Sequence, residues 1–169
     1  MEPLSKVVDL TVTAQAATST VSFDENTGVL TLEAGTVNAA DVKLYRSNTA
    51  VTKVVAQAGA VLPEDCSSLF YNFQAQEIDI SNADSSKVKN MKSMFCVCDE
   101  LTALNVSGFN TSNVTDMSFL FSGCSKLTSL DISSFNTEEV TIMQNMFFSC
   151  ASLTSIDVSR FNTEKVTCM

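Results

Sequence analysis

The sequence predicts an α/β solenoid: a right-handed coil with a short parallel sheet on one face and short helices on the other, preceded by a small, mainly β N-terminal cap. Three observations predict it. Sliding the chain against itself by 26 residues aligns Val88, Val114, Val140 and Val166, and with them Met91, Met117 and Met143, Phe95, Phe121 and Phe147, Cys98, Cys124 and Cys150, Leu101, Leu127 and Leu153, and Phe109, Phe135 and Phe161. A period of that length marks stacked supersecondary units. Within each unit an L-x-x-L/I-x-V/I run alternates as a strand does, and a second run is apolar at helical spacing. Finally, no unit can stand alone. About seven apolar side chains, each contributing roughly 1.5–3 kcal/mol when buried, face an ordering cost of roughly 1–2 kcal/mol per residue in backbone entropy. Stacked units share their inner surfaces, so the same residue types must recur at the same offsets.

Taken in order, residues 1–18 read as an N-terminal extension or linker and 19–61 as the cap. In the cap, "STVSFDENTGVLTLEAG" predicts a hairpin, with Val21 and Phe23 alternating, a turn over Glu25 to Gly28, then Leu30 and Leu32 alternating. "NAADVKLYRS" predicts a short helix capped by Asn38, and "AVTKVVAQAG" a strand leading into the coil. Residues 62–87 form a degenerate first unit that keeps Ile78, Asp79, Ile80 and Ser81 but lacks the Phe near its end. Three full units follow at 88–113, 114–139 and 140–165, and 166–169 begin another. "LTALNV", "LTSLDI" and "LTSIDV" are the strands, with Leu104, Leu130 and Ile156 expected in one inward column. "VTDMSFLF" places Val114, Met117, Leu120 and Phe121 on one side of a short helix. "SGC" and "SFNTEE" supply turns. The cap is expected to cover one end of the stack. At "VTCM" no polar cap follows, so either the natural chain continues or another chain seals that end.

Composition narrows the function. With 45% apolar and 17% charged residues the chain is expected to fold and to be soluble. A net charge of −9 disfavours nucleic acid and anionic membranes and favours cationic or basic partners. The chain contains no His, which removes the usual proton shuttle and commonest metal ligand and lowers the expectation of catalysis. No run approaches the ~20 apolar residues of a membrane span, and "MEPLSKVVDL" lacks the order of a signal peptide.

The candidate binding residues lie on the sheet face, where the register aligns Asp79, Asn105, Asp131 and Asp157 beside Ser81, Ser107, Ser133 and Ser159. Carboxylates ~5 Å apart on neighbouring strands repel. A calcium or cationic-ligand stripe would offset that, but calcium collects more ligands per ion, so a solvated polar face with local Ser and Thr hydrogen bonds is the preferred reading. No metal or cofactor is expected. Cys98, Cys124 and Cys150 read as free thiols packed inward, and Cys66 and Cys168 are undecided. The "CVC" spacing at Cys96 and Cys98 is not a zinc pattern. The sequons at Asn105, Asn110 and Asn113 fall on residues the repeat already dictates, and the Met stripe (Met91, Met94, Met117, Met143, Met146) reads as core. Lys92, Ser93, Phe119, Gln144, Asn145 and Phe148 differ between units, on the expected helix side. A varied face suits one folded partner, whereas the repetitive Asp and Ser face suits a polymeric ligand or none.

The run "NTSNVTDMSFLFSGCSKLTSLDISSFNT" closely resembles the 26-residue repeat of bacterial surface proteins, the BspA-like leucine-rich repeats, and "AVTKVVAQAGAVLPEDCSSLF" looks like the entry into such arrays. The resemblance covers residues 23–169. It implies a secreted or surface-anchored protein with roles in adhesion or host interaction. The expected function is a non-catalytic, surface-exposed binding or adhesion module that engages a protein or glycan on a host or neighbouring cell. The alternative is a structural spacer or self-associating stalk that multimerises through its uncapped C-terminal end. A hydrolase is a distant third.

Overall fold

The computed structural model describes residues 20–169, so the expected extension at 1–18 lies outside the described residues. The chain winds as a β-solenoid. Its main sheet is five-stranded, in the order β1-β2-β4-β6-β7. β1 (Val21–Asp24) and β2 (Val29–Leu32) form the antiparallel hairpin; β4 (Lys53–Ala56), β6 (Glu77–Asp79) and β7 (Ala103–Asn105) then add in parallel, one per coil. A second, two-stranded parallel sheet pairs β3 (Gly35–Thr36) with β5 (Ala60–Val61).

The hairpin turn closes because Asp24 accepts hydrogen bonds from the Asn26 N–H and the Thr27 hydroxyl, both at 2.9 Å. Gly28 completes it at φ +72°, and the next coil packs so tightly there that a Cβ would meet Thr52 Oγ1 at 2.6 Å. Leu30, Val54 and Ile78 stack register on register and are fully buried. Leu104, Leu130 and Ile156 continue that column half-buried against the same core. The core is a single apolar cluster running from Val21 to Met146.

The single helix among the described residues is α1 (Ala39–Lys43), capped as expected by Asn38, whose side chain accepts from the Ala40 N–H. No helix forms at "VTDMSFLF" or its equivalents, which corrects the expectation of helices opposite the sheet. An α-helix is ~10–12 Å across and spends its N–H groups on its own carbonyls. Here the turn faces of neighbouring coils are also bonded main chain to main chain, Asn90 to Asp116 and Asp116 to Ile142, so that face too keeps a β spacing of ~4.8 Å and leaves no room for a helix. Each coil instead makes tight turns in which alternate N–H groups go inward or onward. Met94 N–H bonds the Met91 carbonyl and Cys96 the Ser93 carbonyl, while Ser93, Phe95 and Val97 donate to Ser118, Leu120 and Ser122 of the following coil. Phe119, Phe121 and Gly123 repeat the pattern toward Gln144, Met146 and Phe148. This alternation needs two left-handed residues per coil: Ser93 and Val97, Phe119 and Gly123, Asn145 and Ser149. Helical apolar spacing is therefore satisfied by a different backbone that points the same residues inward.

Beyond β7 the strand ladder stops among the described residues. At the corner that follows β7 the coils pack closely: a Cβ on Gly108 would overlap the Ser81 carbonyl oxygen of the preceding coil. The equivalent positions carry Asn82 one coil earlier and Ser134 and Arg160 in the next two. Arg160 donates back across the corner to the Ser133 carbonyl at 3.1 Å. A polar hollow of about 430 Å³ opens beside it, lined by Ser133, Ser134, Asn136, Glu138, Arg160 and Asn162 among others. Elsewhere the coils stay joined. Parallel bridges run Asp65 to Asn90 to Asp116 to Ile142 to Cys168. Among the described residues no helix is long and apolar enough to cross a membrane.

Candidate functional site

The sheet-face candidates occupy the corner where each strand turns. Asp79 accepts from the Ser81 N–H at 3.1 Å and the Ser81 hydroxyl at 2.7 Å. Asn105, Asp131 and Asp157 take the N–H of Ser107, Ser133 and Ser159 in the same way, at 3.3, 2.9 and 2.9 Å. Asn105 also donates to the Ser81 hydroxyl at 3.3 Å, which ties two coils together and places a neutral amide between Asp79 and Asp131. These side chains are thus the acceptors of local Asx turns. At Asp131 and Asp157 the hydroxyl and N–H of the following Ser hold the carboxyl below the usual carboxylate range. At Asp79 burial pushes upward, but the Ser81 hydroxyl and N–H, Asn105 and Lys53 pull further, and the net shift is downward. Asp131 and Asp157 are exposed, as are Asn105, Ser107, Ser133 and Ser159, so the corner remains reachable from solvent.

One further ladder went unread in the sequence. Ser85, Thr111 and Thr137 are buried, and each hydroxyl bridges to the next coil. Thr111 donates to the Asn136 carbonyl and accepts the Asn136 N–H, both at 2.8 Å; Thr137 does the same with Asn162 at 3.0 and 2.8 Å, and Ser85 with Asn110 at 3.3 and 2.8 Å. The signal was the Ser or Thr that follows Asp84, Asn110, Asn136 and Asn162 in every unit.

The thiols form a third column. Cys98, Cys124 and Cys150 donate to the carbonyls of Phe70, Phe95 and Phe121 at 3.1, 3.2 and 3.1 Å. All six cysteines are free. Burial pushes the Cys98 and Cys66 thiols up to about 12 and raises Cys124 further, so none of the three is a nucleophile near neutral pH. Beside them Phe70, Phe95, Phe121 and Phe147 stack with centroids 5.6, 5.7 and 5.6 Å apart.

The residues that differ between units cluster on the turn face. Lys92, Asn145 and Phe148 are exposed and Ser93, Phe119 and Gln144 half-buried, on a backbone whose geometry is the same in each coil. Phe148 is 63% exposed, unusual for a large apolar side chain. Cross-coil ion pairs join Lys53 to Glu77, Lys89 to Glu64, Lys126 to Glu100 and Lys165 to Glu139 at 2.6–2.8 Å, all on the surface.

No curated protein and no solved structure matches the chain. The family described as "Mycoplasma protein of unknown function, DUF285" matches residues 64–169, the stretch in which the bridges, the stacked rings and the thiol column recur. That span exceeds half of the sequence, and the chain belongs to this family.

Proposed function

We propose that the chain is a non-catalytic binding module of a cell-surface repeat protein, and that it engages a protein partner through its turn face. One observation carries the reading. The backbone of that face is fixed by main-chain bonds between coils, and the side chains it displays, Lys92, Phe119, Gln144, Asn145 and Phe148, change from coil to coil. A rigid frame with interchangeable side chains is what selective recognition needs. The Asp and Ser corner is repetitive and internally hydrogen-bonded, which supports a structural role for it. The surface location, the adhesion role and the likeness to BspA-like leucine-rich repeats belong to this proposal.

The test uses cultured epithelial cells and the fluorescently labelled chain, before and after protease or glycosidase treatment of the cells. Binding abolished by protease, spared by glycosidase, lost in Lys92→Glu/Phe148→Ser and kept in Asp131→Asn/Asp157→Asn is the expected result. Loss that follows the corner substitutions, or no cell binding at all, would overturn the turn-face reading.

A further inference from the structure

The polar hollow beside Arg160 is walled by two successive coils, and its volume of about 430 Å³ falls in the ~300–1,000 Å³ range of small-molecule sites. Two charged side chains line it, Glu138 from one coil and Arg160 from the next. The repeat dictates neither. The corresponding pairs in the coils before are Ser86 with Gly108 and Ser112 with Ser134. Where other opposite charges meet across coils, as in Lys126 with Glu100 or Lys165 with Glu139, they close to 2.6–2.7 Å. Glu138 and Arg160 share a hollow and do not pair, with each other or with another charge among the described residues. Asp157 feels the Arg160 charge without bonding to it. The guanidinium is instead tied through one N–H to the Ser133 carbonyl, which holds it at the rim with its remaining donors unused among the described residues. Around it the Oδ1 atoms of Asn136 and Asn162 each accept a main-chain N–H at 2.9 Å, so both amides keep their own N–H groups unbonded among the described residues.

We infer that this hollow is a binding site for a small zwitterion, a free α-amino acid, whose carboxylate meets the Arg160 guanidinium and whose ammonium meets the Glu138 carboxylate. The charges select that class. A simple anion would pair with Arg160 but sit beside Glu138, in the field of a chain with net charge −9. A simple cation would pair with Glu138 but face Arg160. A molecule carrying both charges meets each with its opposite, and the guanidinium fork suits a carboxylate in two parallel hydrogen bonds. The Ser134 hydroxyl and the Asn136 and Asn162 amides are neutral donors and acceptors for a polar side chain of the ligand. Because Arg160 is already anchored to the Ser133 carbonyl, less of its rotamer freedom is lost on binding. This corner is separate from the turn face assigned above to a protein partner, so either site can be lost without the other.

The test is a titration of the intact, nitrogen-15-labelled chain with L-serine, followed by the NMR shifts of the Ser134 and Glu138 amides and the Arg160 Nε–H. Two analogues each lack one charge: ethanolamine has no carboxylate and 3-hydroxypropanoate no ammonium. L-serine is expected to shift all three signals saturably, and each analogue to bind about tenfold or more weakly, as loss of a charge-assisted hydrogen bond implies. Arg160→Gln and Glu138→Gln are each expected to weaken L-serine by a similar factor. Glu164→Gln, at the equivalent position one coil on and outside the hollow, should leave it unchanged. Amides of β2 and β4 report in the same spectra that every variant is folded. Absence of saturable shifts, 3-hydroxypropanoate or ethanolamine binding as tightly as L-serine, glucose producing the same shifts, or indifference to both hollow substitutions would each overturn the inference.

Discussion

Gly108→Ser tests how closely the coils pack at the corner that follows β6 and β7. The new Cβ would overlap the Ser81 carbonyl oxygen, and a main-chain oxygen cannot swing aside as a side chain can, so the coils must separate. An opening of roughly 0.5–1 Å forfeits a quarter to a half of the van der Waals attraction across it. It also stretches the rungs of the three-residue β6–β7 pairing and the adjoining Ile80 N–H to Asn105 carbonyl bond, 3.2 Å in the native coil. At about 0.5–1.5 kcal/mol per bond, loss of two or three rungs costs about 1–4 kcal/mol. Replacing a glycine returns roughly 0.4–1 kcal/mol through the unfolded chain. The net expectation is a destabilisation of about 1–3 kcal/mol in urea unfolding, with Ile80 and the β7 amides exchanging faster and β2 and β4 unaffected. Ser134→Gly, where the rungs are already absent, should move stability by less than about 0.5–1 kcal/mol, the intrinsic cost of a glycine. A Gly108→Ser chain as stable as the parent, with Ile80 exchange unchanged, would refute the steric argument.

Other outcomes follow from the ladders. Thr111→Val and Thr137→Val each strand a backbone N–H and carbonyl of the next coil and should cost about 1–3 kcal/mol, whereas Thr163→Val, at the open end, should be nearly silent in the same unfolding titration. In native protein the exposed Cys168 should react first with a thiol reagent, while Cys98, raised to about 12, and Cys124 should react only on unfolding; rapid native labelling of Cys98 would contradict its burial. The pH response has a definite sign. Asp79, Asp131 and Asp157 have folded pKa values below the unfolded range, so their contribution is complete above about pH 4 and lost as pH falls through the folded values. The urea midpoint should drop on acidification below about pH 4, and less so in Asp79→Asn, which copies the amide at Asn105. A midpoint that rises on acidification would show the sign to be wrong.

The repeat, its inward residues, the hairpin and the Asn38 cap were legible because each depends on local pattern: alternation, 26-residue recurrence, and a turn needing Gly28. The turn-face backbone was not. Val114, Met117, Leu120 and Phe121 are spaced as on a helix, and the same spacing serves a run of tight turns that also points them inward. What decides between them is the distance to the neighbouring coil, which no single unit encodes. The corner residues Asp79, Asn105, Asp131 and Asp157 could be found from register, but their use as Asx acceptors for the Ser two positions on depends on how the strand turns. The need for Gly108 likewise becomes visible only once the Ser81 carbonyl is seen to lie against it.

Val97 sits in a left-handed conformation that a β-branched residue strongly avoids, and its N–H is bound by Ser122 of the coil that follows. Such a residue keeps its shape only while its neighbour is in place, so stretching the molecule from both termini should peel it from Met169 backward in small, sequential force drops. Each detached turn would release the strain of the one it had been holding, leaving the hairpin at Val21 as the last part to yield.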